Sequence, residues 1–172
     1  MGNRLGEKII VIGSPGSGKS RLSLKLRDLT GLPLYHLDNV WWKPDRTHVT
    51  REEFDANLAE ILHKDRFIID GSYSRTVEPR FAACDTVVWL DLPVDECLRG
   101  VSERLGSVRP DIPWSEKELD PELVALVETY NERNCPALKA LFEKYKDKKQ
   151  IILKSREETN AWLASLEEDA KN

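Results

Sequence analysis

The sequence contains few cysteines and no long hydrophobic run, and each absence excludes a class of protein. The cysteines are odd in number and widely spaced, with no CxxC pair, so the sequence predicts neither a disulfide framework nor a zinc knuckle. The apolar runs Ile9–Ile12 and Val87–Leu90 are strand-sized, far below the roughly 20 residues that cross a bilayer. The polar segment Met1–Lys8 leads directly into an apolar run, unlike a secretory signal. We therefore expect a cytoplasmic protein with free thiols and no membrane association.

The sequence also has no excess of positive charge. Its 172 residues carry a formal net charge of −4, with 33% charged and 40% hydrophobic residues. Non-specific DNA binding needs a basic surface, so we expect no direct binding to nucleic acid. A few arginines can nevertheless hold a small phosphate ligand. The length predicts a single domain over residues 1–172, and no heptad pattern indicates an oligomer.

Short apolar runs alternate with stretches of helical periodicity along the chain. The predicted strands are Lys8–Ile12, Leu34–Leu37, Phe67–Ile69, Thr86–Leu90 and Gln150–Leu153. Such alternation predicts βαβ units and a three-layer α/β sandwich with about five parallel strands. Residues 106–135 interrupt the alternation with glycine, prolines and a helix start at Asp120-Pro121. We interpret residues 105–135 as a lid and residues 36–65 as an acceptor-binding region.

A phosphate-binding motif follows the first predicted strand. The segment matches the P-loop pattern GxxxxGK[ST] at every fixed position, through Gly13, Ser14, Pro15, Gly16, Ser17, Gly18, Lys19 and Ser20. The glycines let backbone amides turn inward toward phosphate oxygens, and the helix N-terminus favours an anion. Lys19 is predicted to bridge the β- and γ-phosphates of ATP, with the Ser20 hydroxyl on Mg²⁺.

Magnesium in a P-loop protein also calls for an acidic residue at the end of a strand. Asp70 and Asp91 both satisfy this requirement. Asp70 is followed by Gly71, which suits a close approach of substrate, whereas Asp91 leads into Leu92-Pro93. We favour Asp70 for the magnesium shell and the substrate side, and regard Asp91 as structural.

Candidate acceptor-binding residues follow the second and third predicted strands. Asp38, interpreted as the end of the second strand, can orient or deprotonate an acceptor hydroxyl, or cap a loop. Trp42 can form one wall of an acceptor pocket, with at least one of Trp41 and Trp42 in the core. Arg75 and Arg80 follow the Asp70 turn and can hold an anionic acceptor. His36 is interpreted as a packed residue.

Three further arginines are candidates for the phosphate side. Arg99 and Arg104 lie on one predicted helix, about 140° apart around its axis, and can bracket a ligand from the helix end. Arg109 lies in the segment Gly106–Asp111, where lid closure would bring it onto the transferring phosphate. Arg104 and Arg109 are the predicted catalytic arginines, together with Lys19 and Asp38.

The order of these motifs resembles a known family. The motifs are the P-loop, the segments His36–Pro44 and Ile68–Ser74, the strand Asp85–Pro93, Arg109-Pro-Asp111 and Leu153–Arg156. Together they resemble the small adenylate-kinase-like P-loop proteins labelled DNA topology modulation proteins, the FlaR-type group. The resemblance covers about Lys8 to Leu166.

The resemblance implies a nucleoside monophosphate kinase fold with a core sheet, an acceptor-binding region and an arginine-bearing lid. It implies that Asp38 and Arg75 face the acceptor, that Arg99, Arg104 and Arg109 serve the lid side, and that the loop with Lys154 and Ser155 lies near the adenine. The motif DGFPR of adenylate kinases is replaced by Asp70–Arg75, with one residue more before the arginine.

Two functions from different classes remain, with an accessory ATPase whose hydrolysis is indifferent to acceptors as a third possibility. The first is ATP-dependent phosphoryl transfer to a small acceptor, a nucleotide or another metabolite, with ATP and Mg²⁺ as cofactors. If the acceptor is a phosphate, no base is needed and Asp38 only positions it. The alternative is an ATP-binding regulator with little or no transfer activity.

Overall fold

The described part of the computed structural model, residues 5–172, contains one parallel β-sheet. Its strands are β1 (Lys8–Gly13), β2 (Leu34–His36), β3 (Phe67–Asp70), β4 (Thr86–Leu90) and β5 (Lys149–Leu153), in the order β2-β3-β1-β4-β5. Each neighbouring pair is parallel. The predicted three-layer α/β sandwich with about five parallel strands is confirmed.

Seven helices connect or flank the strands in this part of the chain. They are α1 (Lys19–Thr30), α2 (Leu37–Trp41), α3 (Arg51–Leu62), α4 (Val77–Ala83), α5 (Val94–Glu103), α6 (Pro121–Lys144) and α7 (Arg156–Lys171), with a short 3₁₀ turn at Ser74–Thr76. Thr50, Asp120 and Ser155 accept hydrogen bonds from first-turn amides of α3, α6 and α7, which confirms these three predicted helix starts.

Alternate strand residues face two separate apolar layers. Ile9 and Val11 of β1 pack with α1, α5 and α7 on one side. Ile10 and Ile12 pack with α3, α4 and the second half of α6 on the other side. A strand covered on both faces reads as a continuous apolar run, which is why β1 was recognisable from sequence alone.

Two boundaries differ from the sequence prediction. Strand β2 ends at His36, so Asp38 lies in the first turn of α2 and does not end a strand. The predicted lid divides into a loop at 104–120 and the first residues of α6, a helix that continues to Lys144. The helical part of the predicted lid is therefore packed structure, with Val127 and Tyr130 buried.

None of the helices in residues 5–172 combines the length and the apolar composition that a membrane span requires.

Candidate active site

The P-loop joins β1 to α1 and has the geometry of a phosphate cradle. Gly16 and Gly18 adopt left-handed backbone angles, with φ of 80° and 92°. Gly18 is the N-cap of α1, so the first amides of the helix have no acceptor within the helix. The Lys19 ammonium donates to the Ser14 carbonyl over 3.1 Å.

Helix α5 packs tightly against this loop. A Cβ placed on Gly16 would lie 2.0 Å from the Cys97 carbonyl oxygen, and one on Gly100 would lie 2.1 Å from the Gly16 carbonyl oxygen. Both positions therefore require glycine for close approach. Gly100 was not singled out in the sequence, because a glycine within a helical pattern gives no signal of what it packs against.

Three carboxylates act electrostatically on Lys19. Asp38 and Asp70 favour its charged form more strongly than Asp111 does, but burial outweighs them and lowers the pKa of Lys19. The Tyr73 hydroxyl donates to Asp38 Oδ1 over 2.7 Å. Burial raises the pKa of Asp38, against the opposing effects of this hydrogen bond and of Lys19.

Asp70 forms a buried pair with His36. The two residues are register partners on β2 and β3, and His36 Nδ1 lies 2.7 Å from Asp70 Oδ2. Burial alone would lower the pKa of His36, but the hydrogen bond and the charge of Asp70 outweigh it and raise the pKa. The prediction that His36 is buried is confirmed, and its polar partner is the predicted magnesium residue.

The lid loop lies over the P-loop through a cluster of charged residues. Arg109 donates to both carboxylate oxygens of Asp111, and Asp111 Oδ2 also accepts from the Ser20 hydroxyl over 2.9 Å. Glu116 lies 3.2 Å from Arg109 Nη1 and 3.7 Å from Arg104 Nε. Burial alone would raise the pKa of Asp111, but the hydrogen bond and charge of Arg109 and the hydrogen bond from Ser20 together outweigh it and lower the pKa. The loop thus brings both predicted catalytic arginines to the P-loop.

The P-loop and residues of the predicted lid and predicted acceptor-binding region line a cleft of about 1400 Å³. Trp41 and Trp42 both line it, and Trp41 stacks on His48 with ring centroids 4.2 Å apart. Trp42 meets Trp114 of the lid edge-on at 5.3 Å, so one wall of the cleft joins the acceptor-binding region to the lid.

Arg80 supports the segment that carries the acceptor side of the cleft. This arginine is fully buried and donates to the carbonyl oxygens of Gly71, Tyr73 and Thr76. Burial lowers the pKa of Arg80 to about 10. Arg80 was predicted, with Arg75, as a possible ligand of an anionic acceptor, but its guanidinium is buried and donates to backbone carbonyls instead. Nothing in the neighbouring sequence marks it as buried, since most arginines are solvated.

Most of the predicted site residues line this one cleft. They include Lys19, Ser20, Asp38, Trp42, Asp70, Arg75, Arg104 and Arg109. Arg75 is exposed and forms a bidentate ion pair with Asp55, with Nη2 2.7 Å from Oδ1 and Nη1 3.0 Å from Oδ2.

Of two further residues considered in the sequence, Arg99 differs from expectation and Asp91 agrees with it. Arg99 is exposed and is not among the residues that line the cleft, so the structure does not support its predicted nucleotide contact. Asp91 also lies outside the cleft lining, consistent with a structural role.

Three residues of α7 that line the cleft, and the role of Asp111, were not predicted from the sequence. Arg156, Thr159 and Asn160 of α7 line the cleft, whereas Lys154 and Ser155 do not, and Ser155 caps α7. Asp111 was recognised only as part of a motif. Its contact with Ser20 spans 91 positions in the chain, and no local pattern reveals such a contact.

The residues present fit a nucleotide with magnesium. Ser17 has a buried hydroxyl without a hydrogen-bond partner among residues 5–172, and a Cβ on Gly18 would meet no atom within 4 Å, so the loop has an unsatisfied donor and open space. Within the described residues no cluster of three His, Cys, Asp or Glu side chains is placed to hold a metal. Mg²⁺ at a phosphate site needs only one or two protein oxygens together with phosphates and water.

Comparison with solved structures identifies the class of fold. Shikimate kinase from Bacteroides thetaiotaomicron matches with a TM-score of 0.60 at 17% identity, over 95% of this chain and 98% of that one. Acinetobacter baumannii shikimate kinase in complex with shikimate matches with a TM-score of 0.56 at 14% identity, over 94% and 92%. Deoxyadenosine kinase from M. mycoides with bound dATP matches with a TM-score of 0.53 at 12% identity, over 92% and 98%.

The chain therefore has the fold of the small-molecule P-loop kinases. No family model and no curated protein matches the sequence. The narrower resemblance to the FlaR-type group is not confirmed by these comparisons and stays an expectation.

Proposed function

We propose that the protein is a kinase that transfers the γ-phosphoryl group of ATP to a small-molecule acceptor. The observation that carries the proposal is the convergence of P-loop and lid. Arg109 and Arg104 lie at the P-loop in the same cleft as Lys19, with Asp111 hydrogen-bonded to both Ser20 and Arg109. A protein that only binds ATP has no need of two lid arginines beside the phosphates.

The roles follow from the chemistry of phosphoryl transfer. The P-loop amides and Lys19 hold the phosphates, and Ser20 and Asp70 hold Mg²⁺, which neutralises charge on the phosphates when bound. Arg104 and Arg109 exchange their carboxylate partners for the transferring phosphate and stabilise its charge. Asp38, Trp42 and the residues near them receive the acceptor.

The proposal is tested by ADP release from ATP and Mg²⁺ across a panel of nucleosides, nucleoside monophosphates, sugar acids and shikimate-like alcohols. We expect Lys19→Ala to lower acceptor-stimulated turnover by at least about 100-fold, because Lys19 is needed most in the transition state. Lys25→Ala is the matched control, since Lys25 is exposed on the same helix and away from the cleft.

Two outcomes would contradict the proposal. Full activity of the folded Lys19→Ala protein would contradict the assignment of the P-loop as the site that holds the ATP phosphates. Tight ATP binding by calorimetry, with no compound of the panel stimulating turnover, would favour the ATP-binding regulator.

A further inference from the structure

The three carboxylates near Lys19 do not have equivalent partners. Asp70 is paired with His36, and Asp111 is paired with Arg109 and Ser20. Asp38 receives its hydrogen bond from the neutral hydroxyl of Tyr73, and among residues 5–172 no cation forms an ion pair with it. Its Oδ2 atom accepts no hydrogen bond within the same residues. Among residues 5–172, Asp38 and Asp70 thus each have one oxygen available to a ligand, and Asp38 is the one of the two without an ion-pair partner.

The surroundings of Asp38 favour proton uptake. Burial raises its pKa, which makes the carboxylate a stronger base than an exposed aspartate. The Tyr73 hydroxyl holds Oδ1 and so fixes the direction of the carboxylate. A carboxylate held in this way beside the phosphate site can take a proton from the reacting group of the acceptor.

The charges on the acceptor side disfavour a phosphate as the attacking group. An attacking phosphate would bring negative charge next to Asp38, whose nearby cations Lys19 and Arg104 would be engaged by ATP and the transferring phosphate. Arg75, the arginine best placed in sequence to clamp such a phosphate, forms two hydrogen bonds with Asp55, which a phosphate would have to displace. The exposed Arg46 and Arg51 also line the cleft and can serve an anionic group remote from the reacting atom.

We propose that the reacting group of the acceptor is an alcohol, that Asp38 is its general base, and that Tyr73 is the positioning residue of Asp38. This inference rests on the proposed kinase function. The hydroxyl oxygen forms a bond to the γ-phosphorus as its proton passes to Asp38 Oδ2. The bond from that phosphorus to the β–γ bridging oxygen breaks, and ADP leaves with the electron pair. The products are a phosphate monoester and ADP.

The bond that forms distinguishes the two classes of acceptor. Each nucleoside is compared with its 5′-monophosphate, with gluconate and shikimate as further alcohols, and the product is examined by phosphorus NMR. We expect a phosphate monoester. A phosphoanhydride product would overturn the alcohol inference and leave the kinase function intact. Absence of turnover with every compound, with ATP bound, would overturn both.

Variants of Asp38 and Tyr73 test the two roles, with the alcohol that responds best. Asp38→Asn is expected to lower kcat at least about 100-fold with the ATP dissociation constant within about twofold of the original. Asp65→Asn, an exposed loop residue outside the cleft, is the matched control. Unchanged kcat in Asp38→Asn would overturn its role as base.

The effect of Tyr73→Phe is measured as a change in the pH dependence of kcat. The hydrogen bond from Tyr73 lowers the pKa of Asp38, so its loss raises that pKa and moves the acidic limb of the profile to higher pH. The other groups that face Asp38 are unchanged in this variant: Lys19, His36, Asp70, Arg104 and Asp111. A limb that stays in place or moves to lower pH would overturn the positioning role of Tyr73.

Discussion

A single buried cation shapes the backbone on the acceptor side of the site. Arg80 donates to three carbonyl oxygens within residues 71–76, the segment between Asp70 and α4. Gly71 and Tyr73 lie between β3 and the 3₁₀ turn that ends at Thr76, outside the regular hydrogen-bond ladder of the sheet. The guanidinium has enough donors in a fixed plane to satisfy the three carbonyls together. Arg80 thereby holds the loop from which Tyr73 reaches Asp38.

Arg80→Met is expected to destabilise the protein by about 3 kcal/mol. The methionine fills part of the volume but removes the guanidinium donors of the Gly71, Tyr73 and Thr76 carbonyls. The Tyr73 oxygen keeps its hydrogen bonds from Thr76, whereas a buried carbonyl left unsatisfied costs about 1–3 kcal/mol. Water entering the adjoining cavity of about 50 Å³ offsets part of that cost. Urea unfolding measures the difference.

Arg27→Met is the control for Arg80→Met, because Arg27 is an exposed residue paired only with its neighbour Asp28. We expect this control to change stability by less than about 0.5 kcal/mol. Similar unfolding free energies for the two variants would mean that Arg80 does not hold the loop in solution.

At the scale of elements, the crossing of α5 over the P-loop depends on two glycines. Gly16 and Gly100 meet backbone to backbone, with no room for a Cβ on either. The contact fixes the phosphate loop against a helix of the core, since Cys97 and Val101 of α5 are buried in the layer beneath. A rigid loop keeps its amides directed at the phosphates without rearrangement.

Gly100→Ala distinguishes packing from helix propensity. Propensity alone predicts stabilisation by about 1 kcal/mol, whereas the clash with the Gly16 carbonyl predicts a loss of about 1–3 kcal/mol. We expect a net destabilisation in urea unfolding, together with weaker ATP binding by calorimetry. Ser102→Ala, at an exposed position of the same helix, should leave ATP binding unchanged. A more stable Gly100→Ala protein would contradict the close crossing.

The elements also show how far the sequence determines the fold. The central strands β1, β3 and β4 were predicted because buried parallel strands are continuous apolar runs. The edge strands β2 and β5 are only partly buried and were predicted from short apolar runs between helical stretches. Helices α3 and α7 were predicted from their caps. Helices α2 and α4 have five and seven residues, too few for a periodic signal. The full length of α6 was not predicted, because Pro136 lies within the helix and the residues before the helix include a glycine and prolines, which are typical of loops.

At the scale of the molecule, the site is assembled from distant parts of the chain. The P-loop was predictable because its chemistry lies within eight consecutive positions, from Gly13 to Ser20. The pairs His36–Asp70 and Ser20–Asp111 join residues 34 and 91 positions apart. Such pairs are set by strand order and lid placement, which no local pattern encodes.

The central claim is that the cleft transfers phosphate to an acceptor and does not merely bind or hydrolyse ATP. The most direct measurement follows the label from ATP radiolabelled at the γ-phosphate, with Mg²⁺ and the panel of acceptors. We expect label on an organic acceptor with the original protein and at least about 100-fold less with Lys19→Ala. Label found only in ATP or in inorganic phosphate, with ATP binding intact, would contradict it.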